Sequence, residues 1–180
     1  MPTAFYYCDY ADKRTLDPAT VFATMARQIL EPLPRIPEAL LHAIEHANHD
    51  GDKLTDHRKT LDILRDAIHY VEEARIIFDG MDELSEHSQK IVCKGLKEVW
   101  QGTDAVVKFF ITGREDPSSM ILVNEKIFRV QILPSSISTD IAQYVRDATS
   151  LHLSKGELVL QDSSLQEVIV EKLVEGAHGM

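Results

Sequence analysis

An α/β fold with a largely parallel sheet is predicted for this chain by three observations. Ala74–Asp79 and Ala105–Thr112 are continuous apolar runs of strand length, the pattern of interior strands in a parallel sheet. Segments of helical periodicity precede each run, so strands alternate with helices as in crossover units. The last third of the chain turns helical, as if a small helical subdomain begins there. With 180 residues, 44% of them hydrophobic, the chain is long enough to bury a real core.

Taken in order, Ala4–Tyr10 is rich in aromatics and reads as the first strand. Asp17 offers an acceptor at a helix N-cap and Pro18 suits the first turn. Val21, Phe22, Met25, Ala26, Ile29 and Leu30 follow at helical spacing until Pro32 and Pro34 stop the helix. A second helix starts near Pro37, carries Leu40, Leu41 and Ile44, and gives way to the polar stretch Asn48–Asp56. The third, His57–Glu73, aligns Leu61, Leu64, Ile68 and Val71 on one face. After the strand Ala74–Asp79, Ser85 caps a helix that buries Val92, Leu96 and Val99 and ends near Gly102. Beyond Ala105–Thr112, Lys126–Leu133 alternates well enough to be a further strand. Ser138 opens a helix containing Ile141, Val145 and Ala148, and Leu153–Asp162 reads as a loop. Ser164 and Glu167 form a capping box for the last helix, with Leu165, Val168, Ile169 and Leu173 inward. No internal repeat or low-complexity linker occurs.

The formal charge is −10, from 29 acids against 19 bases, and no Lys/Arg-rich run exists. That balance argues against gripping a phosphate backbone, so nucleic acid is not an expected partner. No stretch approaches the roughly twenty apolar residues of a spanning helix, and none is expected. Cys8 and Cys93 each fall inside an expected core element, as small buried apolar side chains. With no basic n-region at the N-terminus, a reduced, cytoplasmic protein is the expectation.

The most informative stretch is Arg75-Ile76-Ile77-Phe78-Asp79-Gly80-Met81-Asp82-Glu83, where an apolar strand discharges into three carboxylates. Open α/β sheets bind their ligands at the carboxyl ends of strands. Adjacent carboxylates without a partner either carry raised pKa values or attract a cation, and magnesium beside a nucleotide phosphate would supply one. The competing reading is a solvated strand-end loop. A second cluster, His42 and His46 four apart on a helix with His49, Asp50, Asp52 and His57 nearby, has spacing that can chelate zinc. It lacks the H-E-x-x-H pattern, and a polar helix face leading into a loop is the favoured account. Asp50 and Asp52 do not fit a calcium loop, because Gly51 stands in the wrong place.

Asp79-Gly80-Met81-Asp82-Glu83 resembles the Walker B region of NACHT-type STAND NTPases, the signal-transduction ATPases and GTPases of NLR-like proteins. Phe110-Ile111-Thr112-Gly113-Arg114 resembles their sensor 1 strand, which ends in a small polar residue followed by Arg. Phe5-Tyr6-Tyr7-Cys8-Asp9-Tyr10 with Asp12 to Pro18 resembles the segment after the P-loop helix, in its fungal, nephrocystin-like version. Ser138-Thr139-Asp140-Ile141 through Tyr144-Val145 resembles the start of the first helical subdomain, and Gly176 to Met180 the point where the family continues.

The resemblance implies a P-loop NTPase-like three-layer αβα fold: 1–134 a partial NACHT nucleotide-binding domain, 135–180 the beginning of a helical subdomain. It further implies ATP or GTP and Mg²⁺ as cofactors of the intact domain, which acts as a conformational switch with possible homo-oligomerisation. Asp79 would help hold Mg²⁺ through water, Glu83, or Asp82 with it, would polarise and orient the attacking water, and Arg114 would sense or stabilise the terminal phosphate. The sequence departs from the family at one decisive point. A P-loop needs G-x-x-x-x-G-K-[ST], and no such string occurs; Gly51-Asp52-Lys53-Leu54-Thr55 has the residue types at the wrong spacing. The family places its P-loop just before the strand corresponding to Ala4–Tyr10, so the first strand, P-loop and first helix are expected to be missing. Hydrolysis or tight nucleotide binding by this chain alone is not expected. In the family's order 5-1-4-3-2, the absent strand would lie between Ala105–Thr112 and Lys126–Leu133, leaving either a gap or a collapsed direct pairing there, with apolar surface exposed beside Phe109–Ile111. A non-catalytic interaction module on the same fold is the alternative.

Overall fold

The structure, a computed structural model, describes residues 1–47, 56–114, 128, 130, 134–162 and 164–177. The chain divides into two compact units, Met1–Ile127 and Phe128–Met180. In the first, strands β1 (Thr3–Tyr7), β2 (Glu73–Asp79) and β3 (Val106–Ile111) form a parallel sheet in the order β1-β2-β3. Helices α1 (Pro18–Leu30), α2 (Glu38–Ala47) and α3 (His57–Ile68) connect β1 to β2, and α4 (Glu86–Gln101) connects β2 to β3.

The helix boundaries follow the local chemistry. Asp17 accepts hydrogen bonds from the Ala19 and Thr20 amides at 3.3 Å, with Pro18 in the first turn of α1. Asp56 accepts from the Arg58 amide at 2.8 Å, and Ser85 from the Ser88 amide at 3.2 Å, starting α3 and α4. Gly102 closes α4, its N–H donating to the Glu98 carbonyl at 2.9 Å. Helix α3 ends at Ile68 rather than continuing to Glu73. The amides of His69, Tyr70 and Val71 close turns there, and Glu73 already pairs with Val106 in the sheet. Strand β1 ends at Tyr7, because the chain beyond folds into a loop in which the Asp9 amide donates to Thr15 Oγ1 at 2.9 Å.

Register across the sheet aligns Phe5 with Ile77 and Phe110, and Tyr6 with Phe78 and Ile111. Side chains alternate between faces along each strand. Ala4, Tyr6, Ala74, Ile76, Phe78 and Val107 join residues of α1, α3 and α4 in one core. The Tyr6 and Phe78 rings stack with centroids 5.8 Å apart. On the other face Phe5 (49% exposed), Tyr7 (58%), Val106 (56%) and Phe110 (63%) stand open. The apolar runs therefore bury one face rather than two. The reason is handedness: both crossovers advance the same way across the sheet, and right-handed connections doing so put their helices on the same side. The α/β class with an open parallel sheet holds. Phe110 and Val106 are exposed on the open face, while the place expected for the absent strand, toward Lys126–Leu133, falls outside the described residues apart from Phe128 and Val130.

The strand expected at Lys126–Leu133 lies outside the described residues apart from Phe128 and Val130, which take no regular structure. In the second unit, α5 (Pro134–Ser154) begins four residues before Ser138 and runs through Leu153, where a loop was expected. Pro134 suits a first helical turn, because its missing N–H would be unsatisfied there in any case. Helix α6 (Leu165–Gly176) is not started by a capping box: Ser164 has helical backbone angles and makes no capping bond. Glu167 instead pairs with Arg146 of α5 at 3.2 Å. Leu165, Val168 and Leu173 are exposed and Val170 is buried, so the inward stripe of α6 is rotated from the expected one. The face a helix buries is chosen by its neighbour, and pairing with α5 selects Ile169, Val170 and Val174. Among the described residues, no helix is long and apolar enough to cross a membrane.

Candidate functional site at the carboxyl end of the sheet

Strands β2 and β3 run in register, so their carboxyl ends bring Asp79 to Glu83 together with Thr112 to Arg114. Backbone bonds lock the two ends: the Thr112 amide donates to the Phe78 carbonyl at 2.9 Å, and the Met81 amide to the Thr112 carbonyl at 3.1 Å. The Thr112 hydroxyl accepts from the Gly80 amide at 3.3 Å and donates to Asp79 Oδ1. Gly80 turns the chain out of the strand with φ +78°, and a Cβ there would stand 3.1 Å from the Cys8 carbonyl oxygen. Only glycine takes that backbone without strain. The turn Met81–Glu83 follows, with Met81 buried and Asp82 and Glu83 half-buried.

Arg114 closes over this turn. Its amide donates to Asp82 Oδ1 at 3.2 Å, its Nε meets Asp82 Oδ2 at 2.5 Å, and its Nη2 lies 3.4 Å from Glu83 Oε1. The raised carboxylate pKa expected of an unpartnered cluster is corrected for Asp82. Burial pushes it up, but hydrogen bonds from the Arg114 side chain and amide outweigh that and hold it below the ordinary 3.8. All four predicted site residues, Asp79, Asp82, Glu83 and Arg114, thus meet at one end of the sheet. Thr112, which sequence reasoning placed at the strand end without a task, orients Asp79; the signal was a hydroxyl residue immediately before Gly113-Arg114.

Cys8 is drawn in from β1. Its amide donates to the Asp79 carbonyl at 3.0 Å. Its thiol is pushed from 9.0 up to about 12, first by burial and then by Glu83, Asp79 and Asp82; burial raises Cys93 to about 11. Neither is an activated thiol. In the unfolded chain Cys8 ionises at its ordinary 9.0, so its contribution to stability is complete below pH 9 and is lost as pH rises toward 12. Thermal melts between pH 8 and 11 are expected to fall less steeply for Cys8→Ala than for the wild type. Equal slopes would refute the assignment.

Among the described residues no group of three or more His, Cys, Asp or Glu could hold a metal ion. Asp82 and Glu83 are engaged by Arg114, so an all-carboxylate cage does not fit. The zinc alternative gains nothing: His42 is exposed and lies 4.0 Å from Glu38 and 3.6 Å from Glu45, while His49, Asp50 and Asp52 lie outside the described residues.

The family model described as Nephrocystin 3, N-terminal, matches residues 1–114, a span that ends at Arg114 and takes in all three strands. That is more than half of the 180 residues, and the chain belongs to this family. No curated protein and no solved structure matches the chain.

Proposed function

We propose that this member of the nephrocystin 3 N-terminal family is the Walker B and sensor portion of a NACHT-type STAND nucleotide switch. In this reading 1–134 is the partial nucleotide-binding domain and 135–180 the start of a helical subdomain. One observation carries the proposal: Asp79, Asp82, Glu83, Thr112 and Arg114 converge at the carboxyl ends of two adjacent parallel strands. The order β1-β2-β3 also fits strands 2, 3 and 4 of the 5-1-4-3-2 arrangement. Asp79, held by Thr112, would touch Mg²⁺ through water, and Mg²⁺ would neutralise charge on the β- and γ-phosphates of ATP or GTP. Asp82 and Glu83 would orient water, and Arg114 would exchange its carboxylate partners for the terminal phosphate. The amide nest and lysine of a P-loop are absent from the sequence, and with them most of the binding energy for a triphosphate. The chain alone therefore neither hydrolyses nor tightly binds nucleotide, and would work in the cytoplasm with other domains and possible copies of itself.

The test is complementation. A strand, a G-x-x-x-x-G-K-[ST] loop and a helix from a family member are joined ahead of Met1, and fluorescent mant-ATP and mant-GTP are titrated with and without Mg²⁺. Mg²⁺-dependent binding on the order of 1 to 10 μM, lost on Asp79→Ala, is expected. A fusion that folds yet binds nothing refutes the proposal, as would submillimolar binding by the unmodified chain refute its dependence on a supplied P-loop. Phe5, Tyr7, Val106 and Phe110 on the open sheet face favour the second reading, a non-catalytic interaction module. Such a module would keep its partner after Asp79→Ala and Glu83→Ala.

A further inference from the structure

Among the described residues, strand β1 is an edge strand in the order β1-β2-β3. In a parallel ladder, alternate residues turn their backbone groups toward the neighbouring strand. Here the Arg75 amide donates to the Pro2 carbonyl and the Cys8 amide to the Asp79 carbonyl, so even-numbered positions of this segment face β2. Thr3, Phe5 and Tyr7 therefore aim their N–H and C=O outward. At the centre of that edge, the carboxamide of Gln28 on α1 takes both groups of Phe5. Phe5 N–H donates to Gln28 Oε1 at 2.8 Å, and Gln28 Nε2 donates to the Phe5 carbonyl at 3.0 Å. One side chain reproduces the donor-and-acceptor pair that an added strand would offer.

The need for such a device is visible in the strand itself. Edge strands expose a template for pairing, usually blunted by Lys, Pro, an inward charge or a bulge. Thr3–Tyr7 (TAFYY) contains none of these: it is uncharged, proline-free and aromatic, the composition of a segment prone to β-association. Phe5 and Tyr7 stand largely exposed beside the edge. We propose that Gln28 is an intramolecular edge cap that prevents a second copy of this chain from adding its own β1 to this sheet. The partner excluded is a second β1, because the segment is uncharged and can pair with itself without like-charge repulsion.

The experiment compares wild type, Gln28→Ala and Gln28→Glu by amide hydrogen exchange and by light scattering over a concentration series. Glu keeps an acceptor for the Phe5 N–H but donates nothing to its carbonyl. Gln28→Ala is expected to speed exchange at the Phe5 amide roughly tenfold or more and to raise self-association above the wild type. Gln28→Glu should keep the Phe5 amide protected, and its charge at the edge should keep the chain from associating. Adding Phe5→Lys to Gln28→Ala should restore the wild-type state. Unchanged exchange in Gln28→Ala would show that the two bonds do not hold in solution. Faster exchange without association would reduce Gln28 to a local staple, and association that Phe5→Lys leaves intact would place the contact elsewhere; each outcome overturns the proposal. Circular dichroism of each variant separates these results from unfolding.

Discussion

Phe78→Ala is expected to destabilise the first unit by about 3–5 kcal/mol, a large fraction of the roughly 5–15 kcal/mol that holds an ordinary domain. Phe78 is fully buried on the central strand, one residue before Asp79, and its ring stacks on Tyr6. Truncation leaves a cavity in the core that the strand shares with α1, α3 and α4. A fall in Tm of roughly 10 °C or more should follow, with a lower urea midpoint at unchanged slope. Phe110→Ala is the internal control: that ring is 63% exposed on the open face, and its removal should change stability far less. Equal losses for the two would contradict the one-sided core.

Gly95→Val is expected to be nearly as damaging, about 3 kcal/mol, although Gly95 lies mid-helix where valine has the better propensity. A Cβ at this position would stand 2.4 Å from Phe22 Cζ, 2.9 Å from Phe22 Cε1 and 3.2 Å from Leu61 Cδ1. Phe22 and Leu61 are themselves buried, so the ring cannot swing away into solvent. The missing side chain of Gly95 is what lets α4 lie against α1 and α3. Gly95→Ala should cost less, since the helix gains about 1 kcal/mol of propensity against a smaller clash. Shrinking the neighbour tests the cause: Phe22→Leu in the Gly95→Val background should recover part of the loss. Strictly additive effects of the two changes, measured by urea denaturation, would rule out the proposed collision.

Much of the first unit is legible in the sequence because its signals are local. Asp17-Pro18, Ser85 and Gly102 mark helix ends through bonds made within one turn of the chain. The run Ile76 to Phe78, breaking into Asp79-Gly80-Met81-Asp82-Glu83, marks a strand end because the glycine must turn there. The second unit reads less well for the opposite reason. The capping box at Ser164 and Glu167 has the right residues, yet Glu167 finds Arg146 across the helix pair and Ser164 stays helical. A local motif yields when a partner distant in sequence offers its carboxylate a full positive charge.

The chain order of residues settled by itself that acids follow one strand, that Thr-Gly-Arg follows another, and that no phosphate-binding loop of the P-loop kind is encoded. Short-range chemistry sufficed for this, since caps, glycine turns and apolar runs act over a few residues. Tertiary structure alone decided that Arg114 lies on Asp82 and Glu83, that Thr112 holds Asp79, and that Gln28 seals the edge of β1. It also decided which sheet face is covered. Those contacts join residues 23 to 33 positions apart, and parallel register with right-handed crossovers, rather than local preference, brings them together.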